Sequence, residues 1–264
     1  MPRKGAILPN QPMVKYVRFE SSPYPAFGIL DGSTIHELGS PQAAAPISRT
    51  HRLADVKLLA PCAPSKILAV GLNYKSHLGS RPAPTHPEIF YKPPSCVQGH
   101  DGSIVLPRDA ANVHYEGELV LVIGRQARNV SEEEAAAAIF GVTCGNDVSE
   151  RDWQHGDKKD LQWWRAKGAD TFAPLGPAIA AGLDYSDLLL TTRLNGETVQ
   201  QQRTSDLLFP PARIVSYVSR WVTLEPGDVI FTGTPGSTRK MNPGDTVEVE
   251  IEGIGVLRNK VVAA

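Results

Sequence analysis

The chain has 264 residues, 41% hydrophobic and 21% charged, enough to bury a sizeable core as one large domain or as a large and a small one. Its 27 Lys and Arg against 28 Asp and Glu leave a formal charge of −1, so nothing electrostatic points to nucleic acid or an anionic membrane as partner. No run approaches the roughly 18 apolar residues of a membrane-spanning helix. Cys62, Cys96 and Cys144 are too few and too scattered for a disulfide framework or a thiolate zinc site. A reducing, cytoplasmic compartment is expected.

Residues 1–13 read as a loose leader, basic and proline-broken, with no signal-like apolar run. From 14 to 60 short strands alternate, VKYVRFE and then AFGILDGSTIHEL with a turn at Asp31-Gly32, forming a small N-terminal β domain. The paired prolines of Ala60-Pro61-Cys62-Ala63-Pro64 mark a linker, and a larger domain runs from 65 to 264. It opens on a buried strand over 66–71, followed by a loop of about twenty residues from Asn73 to Pro94, rich in His, Pro and Gly. Residues 116–124, EGELVLVIG, compose a strand. Ser131 and Glu134 form a capping box that starts an alanine-rich helix through Phe140. Asn195-Gly196 predicts a hairpin turn, and Ile214, Val215, Val218, Trp221 and Val222 recur at helical spacing over 211–222. The remainder is turns and strands. The predicted class is mostly β (α+β), without the strand–helix alternation of a doubly wound sheet.

Glu116 and Glu118 stand two apart on a strand and so share a face. A lone E-x-E is usually a solvated strand edge. Here Val120 to Ile123 leave no polar face, which makes the strand buried on both sides, and buried paired carboxylates imply a cation or a raised pKa. Asp147, after the helix, can return to the same place. Three carboxylates without Cys form a hard-oxygen set suited to Mg²⁺ or Mn²⁺, with Ca²⁺ also compatible. Lys167 could steady a substrate carboxylate or a water as a point charge. Thr232-Gly233-Thr234-Pro235-Gly236 could receive a carboxylate on its backbone amides, or be only a turn. Arg151 and Asp152 could be an ion pair that orients their loop.

These segments resemble the fumarylacetoacetate hydrolase superfamily. The resemblance runs in order through Gly71-Leu72-Asn73-Tyr74…His77, Phe90-Tyr91-Lys92-Pro93-Pro94-Ser95, His114-Tyr115-Glu116-Gly117-Glu118-Leu119, Asn146-Asp147-Val148-Ser149-Glu150-Arg151-Asp152-Trp153-Gln154, Lys167-Gly168…Asp170-Thr171-Phe172 and Gly227-Asp228-Val229-Ile230…Thr232-Gly233-Thr234-Pro235. It implies a mixed β-sandwich roll with a deep pocket, a homodimer, and Mg²⁺ or Mn²⁺ on Glu116, Glu118 and Asp147. It further implies a substrate site lined by Tyr91, Arg151, Gln154, Lys167 and Thr234, with His77, Lys167 and Gln154 in catalytic roles. The implied substrates are small 2-oxo or 2-hydroxy-dienoic acids. The reaction would be that of a 2-hydroxyhepta-2,4-diene-1,7-dioate isomerase or a C–C hydrolase of acylpyruvates and fumarylacetoacetate. An oxaloacetate-type decarboxylase, a sugar-acid hydrolase or lyase, or a non-catalytic metal-dependent binding protein are the alternatives. One position departs from the pattern. Hydrolytic and decarboxylating members carry a Glu three residues after the lid His, where this chain has Ser80, with His86 and Glu88 as candidate substitutes. That departure favours isomerisation over attack by water.

Overall fold

The computed structural model describes residues 12–40, 43, 45–157 and 159–264. Most of the expected leader, residues 1–11, lies outside the described residues, and positions 12 and 13 precede the first strand. The path of the larger sheet runs Pro46–Arg52, Thr34–Leu38, Ala26–Asp31, Val14–Phe19, Ala173–Ala181, Ile139–Asn146, Gly117–Ile123, Val229–Phe231, Ile67–Gly71 and Glu88–Lys92. A smaller sheet orders Glu197–Arg203, Leu189–Leu194, Thr246–Ile251, Gly255–Ala263 and Ser103–Leu106. The protein is mostly β, as expected. The strands 14–52 continue the larger sheet directly, since Val14–Tyr16 pair antiparallel with Ile179–Ala181.

The strand Gly117–Ile123 is buried at every position. Leu119, Leu121 and Ile123 join one hydrophobic cluster, and Val120 and Val122 join another on the opposite face. Such two-sided burial explains the unbroken apolar run. Its neighbour Ile139–Asn146 begins immediately after the helix Glu132–Ala138, so the predicted helix end at Phe140 is two residues too far. The β-branched Ile139 turns the chain to extended geometry. The capping box of Ser131 and Glu134 is present.

The hairpin at Asn195-Gly196 forms with both residues at positive φ, joining Leu189–Leu194 to Glu197–Arg203. The first hairpin turns on Gly32-Ser33, one position later than expected, because Asp31 still pairs with Thr34. The helical period over 211–222 yields a helix at Pro211–Ser219, and Trp221 beyond it is exposed. The segment from Asn73 to Pro94, expected as one long loop, is only partly a loop. It holds a 3₁₀ turn at Lys75–His77 and ends in a strand, Glu88–Lys92, antiparallel to Ile67–Gly71. The flanking Pro87, Pro93 and Pro94 conceal that five-residue strand in the sequence.

Candidate functional site

Antiparallel pairing places the three carboxylates. Gly117 pairs with Asn146, the Asp147 amide donates to the Glu116 carbonyl at 2.8 Å, and the Glu116 amide donates to Asn146 Oδ1 at 2.8 Å. Glu116 and Asp147 therefore sit opposite each other where the two strands meet, and Glu118 follows on the same face as Glu116. All three are buried, and a carboxylate oxygen from each lies within 4.8 Å of the others. Gly117 separates the two glutamates because a Cβ there would meet Thr192 Oγ1 at 2.0 Å.

Cations crowd the cluster. Glu116 accepts from Arg151 Nη2 at 2.5 Å and from Lys167 Nζ at 2.6 Å. Asp147 accepts from Lys167 Nζ at 2.7 Å and from Lys92 Nζ at 2.5 Å. Burial alone would raise the Glu116 pKa, but Arg151 and Lys167 outweigh it and hold the carboxyl well below the usual range. Burial likewise opposes the Lys167 charge, and Asp147 and Glu116 overcome it, raising the pKa. Glu118 is the exception. Among the described residues its hydrogen-bond donor is the Gly233 amide, at 2.6 Å, and burial with the charges of Asp147 and Glu116 pushes its pKa well above normal. That amide is available because Gly233 adopts φ +110°, and its α-carbon packs so closely that a Cβ would lie 2.7 Å from Asn73 Cβ. The expected carboxylate-binding turn thus binds a carboxylate of the chain itself.

Arg151 is turned to Glu116, Gln154 and Thr238, with Gln154 Oε1 at 2.7 Å and Thr238 Oγ1 at 2.8 Å. It makes no ion pair with Asp152, which instead accepts from Asn112. Gln154 is buried, and its amide nitrogen has no hydrogen-bond partner among the described residues. His77 is half-buried, donates through Nδ1 to the Gly236 carbonyl at 2.5 Å, and lies near enough to Glu116 to act on its charge. Ser80 is exposed, as are His86 and Glu88, whose 3.9 Å contact is with each other. Two expected positions differ in detail. The Thr234 hydroxyl is consumed by the framework, donating to the Gly117 carbonyl at 2.9 Å and accepting from Gln200. Tyr91 is 54% exposed and on the strand face opposite its neighbours Phe90 and Lys92. The residues on the site face are those neighbours, the Phe90 ring lying 5.0 Å from Lys167 Nζ. Lys92 and Gln200 were not anticipated as parts of the site. Strand parity places Phe90 and Lys92 on one face once Glu88–Lys92 is a strand, and the flanking prolines hide that strand in the sequence.

The donor set suits a divalent cation. It is all oxygen, buried, and includes one carboxylate that its surroundings leave under-compensated. Such a cation would compete with Lys167 for Glu116 and Asp147.

Comparison with known proteins gives the family. Residues 66–262 match the family model described as fumarylacetoacetate (FAA) hydrolase C-terminal, and residues 14–61 match one described as Rv2993c-like, N-terminal. The solved structure of a 5-carboxymethyl-2-hydroxymuconate delta-isomerase from Mycobacterium smegmatis is 45% identical, with TM-score 0.87 over 95% of this chain and 99% of that one. A 2-hydroxyhepta-2,4-diene-1,7-dioate isomerase from Mycobacterium marinum is 42% identical, with TM-score 0.87 over 95% and 98%. The mitochondrial oxaloacetate tautomerase FAHD2A of Bos taurus is 40% identical over 222 residues, 79% of this chain and 70% of the relative. Since that first model covers residues 66–262, well over half of the sequence, the chain belongs to the fumarylacetoacetate hydrolase family.

Proposed function

We propose that the protein is a tautomerase or isomerase that moves a proton at the carbon beside the keto group of a small 2-oxo acid. The observation that carries this reading is the setting of His77. Its Nδ1 is held by a backbone carbonyl, and no carboxylate stands at position 80 to help it activate water. An imidazole so held keeps Nε2 free to accept and return a proton. Glu116, Glu118 and Asp147 would hold Mg²⁺ or Mn²⁺, which would act as a Lewis acid on the oxygens of the 2-oxo acid. Lys167 and Arg151 provide positive charge for the substrate carboxylate, and the free amide nitrogen of Gln154 provides a donor beside them. Phe90 walls the Lys167 ammonium against water. The names of the three relatives, each an isomerase or tautomerase, support the same reaction class.

The test is ¹H NMR in D₂O with Mg²⁺ and a panel of oxaloacetate, acetylpyruvate and a 2-hydroxy-dienedioate. Deuterium should enter beside the keto group, or the double bond should shift, faster than any C–C bond breaks. Rapid C–C cleavage undiminished in His77→Ala would overturn the reading.

A further inference from the structure

The strand Glu197–Arg203 lies at an edge of the smaller sheet, yet two of its side chains hold the turn Gly233–Gly236 of the site. Gln200 and Gln202 are two apart and so share a face. Gln200 is buried; its Oε1 accepts from the Gly117 amide at 3.1 Å, and its Nε2 donates to Thr234 Oγ1 at 2.8 Å and to the Pro235 carbonyl at 2.6 Å. Gln202 Oε1 accepts the Ser76 hydroxyl at 2.5 Å, and Gln202 Nε2 donates to Asp206 Oδ2 at 3.0 Å. Ser76 Oγ accepts in turn from the Gly236 amide at 3.0 Å. Gly236 is therefore held at its amide by Ser76 and at its carbonyl by the adjacent His77. A carbonyl only accepts, so Nδ1 carries the ring proton and Nε2 the lone pair.

We infer that Gln202, acting through Ser76 and Gly236, is a positioning residue that sets the tautomer and the aim of His77. Gln200 fixes the same turn to the peptide between Glu116 and Glu118. The acid–base group and the carboxylates thereby keep one register, imposed from the second sheet. The kinetic part of this inference rests on His77 being the base. The tautomer part does not.

The experiment uses the full chain as Gln202→Met, Ser76→Ala, and the double variant Gln202→Glu with Asp206→Asn. The double variant restores the hydrogen bond between 202 and 206 with donor and acceptor exchanged, and keeps an acceptor for Ser76. The readouts are the ¹⁵N and ¹H resonances of the His77 imidazole, Mg²⁺ affinity by calorimetry, and deuterium exchange into oxaloacetate. The native protein should show the Nδ1–H form. Gln202→Met and Ser76→Ala should shift it towards Nε2–H and slow exchange about ten-fold through kcat, with KM and Mg²⁺ affinity held within about two-fold. The double variant should recover both. An unchanged Nδ1–H population in Gln202→Met would overturn the inference at any level of activity. A shifted tautomer with an unchanged exchange rate would uphold the positioning and remove His77 as the base.

Discussion

Glu118 and Lys167 represent opposite electrostatic situations a few ångströms apart. Glu118 is buried beside two like charges with the Gly233 amide as its donor, so a cation is its natural counter-charge. Glu118→Gln should weaken Mg²⁺ or Mn²⁺ binding at least about ten-fold, since a neutral amide is a poorer ligand for a hard cation; unchanged titration calorimetry would remove the residue from the ligand set. Lys167 already occupies oxygens that a cation would use. Lys167→Met should therefore bind the cation as tightly as the native protein or more tightly, while turnover falls about 100-fold or more. A variant that loses cation binding would show the ammonium to be structural. The carboxylates were legible in the sequence because strand parity and a two-sided apolar run are short-range patterns. Lys92 was not legible, since nothing within five residues of it announces that its ammonium will meet Asp147, 55 positions away.

Among the elements, the parallel pair Ile67–Gly71 and Val229–Phe231 depends on one side chain. Asp228 is fully buried and accepts five hydrogen bonds, from the amides of Ser65, Lys66 and Glu225, the Ser65 hydroxyl and the Lys66 ammonium. Burial alone would raise its pKa, but the Lys66 and Ser65 bonds prevail and lower it. Asp228→Asn should cost about 2–4 kcal/mol at neutral pH, by denaturant unfolding. A depressed pKa stabilises the fold above the unfolded value and ceases to do so as pH falls through the folded one. The deficit of the variant should thus be full at pH 7 and shrink below about pH 4; a deficit independent of pH would assign it to packing. Elements bounded by caps and turns, such as the helix after Ser131 and the hairpin at Asn195-Gly196, were readable because local hydrogen bonds define them. The strands Glu88–Lys92 and Ala173–Ala181 were not, because prolines inside or beside them mask a pairing decided by distant partners.

At the scale of the molecule, the N-terminal strands cover the sheet edge at Ile179–Ala181 and bury Val17, Phe19 and Ile35 against Ala178. Among the described residues, none that is hydrogen-bonded to the carboxylate cluster or its Gly233 turn precedes Asn73. Removal of residues 1–60 should therefore lower the thermal midpoint and promote self-association through the bared edge, while the remaining folded protein still binds Mg²⁺. Size-exclusion chromatography with scanning calorimetry checks this, and a monodisperse truncation of native midpoint would contradict it. Sequence pattern alone carries a mostly β class, and the strand order of the two sheets follows from long-range pairings that no local pattern encodes.

The site is stitched from segments remote in the chain: Glu118 to Gly233 spans 115 positions, and Asn73 to Thr232 and His77 to Gly236 each span 159. Closing loops of that length costs chain entropy before the contacts form, so such topologies acquire their long-range pairings slowly. During refolding, tryptophan burial and strand formation should precede cation binding, and exchange activity should return in the last phase. The unfolded chain, with its carboxylates scattered, should show little affinity for the ion, whose presence then favours the folded state by mass action, by about 2.7 kcal/mol at one hundred times its Kd. Supply of the metal would in this way govern how long the molecule survives as well as how fast it works.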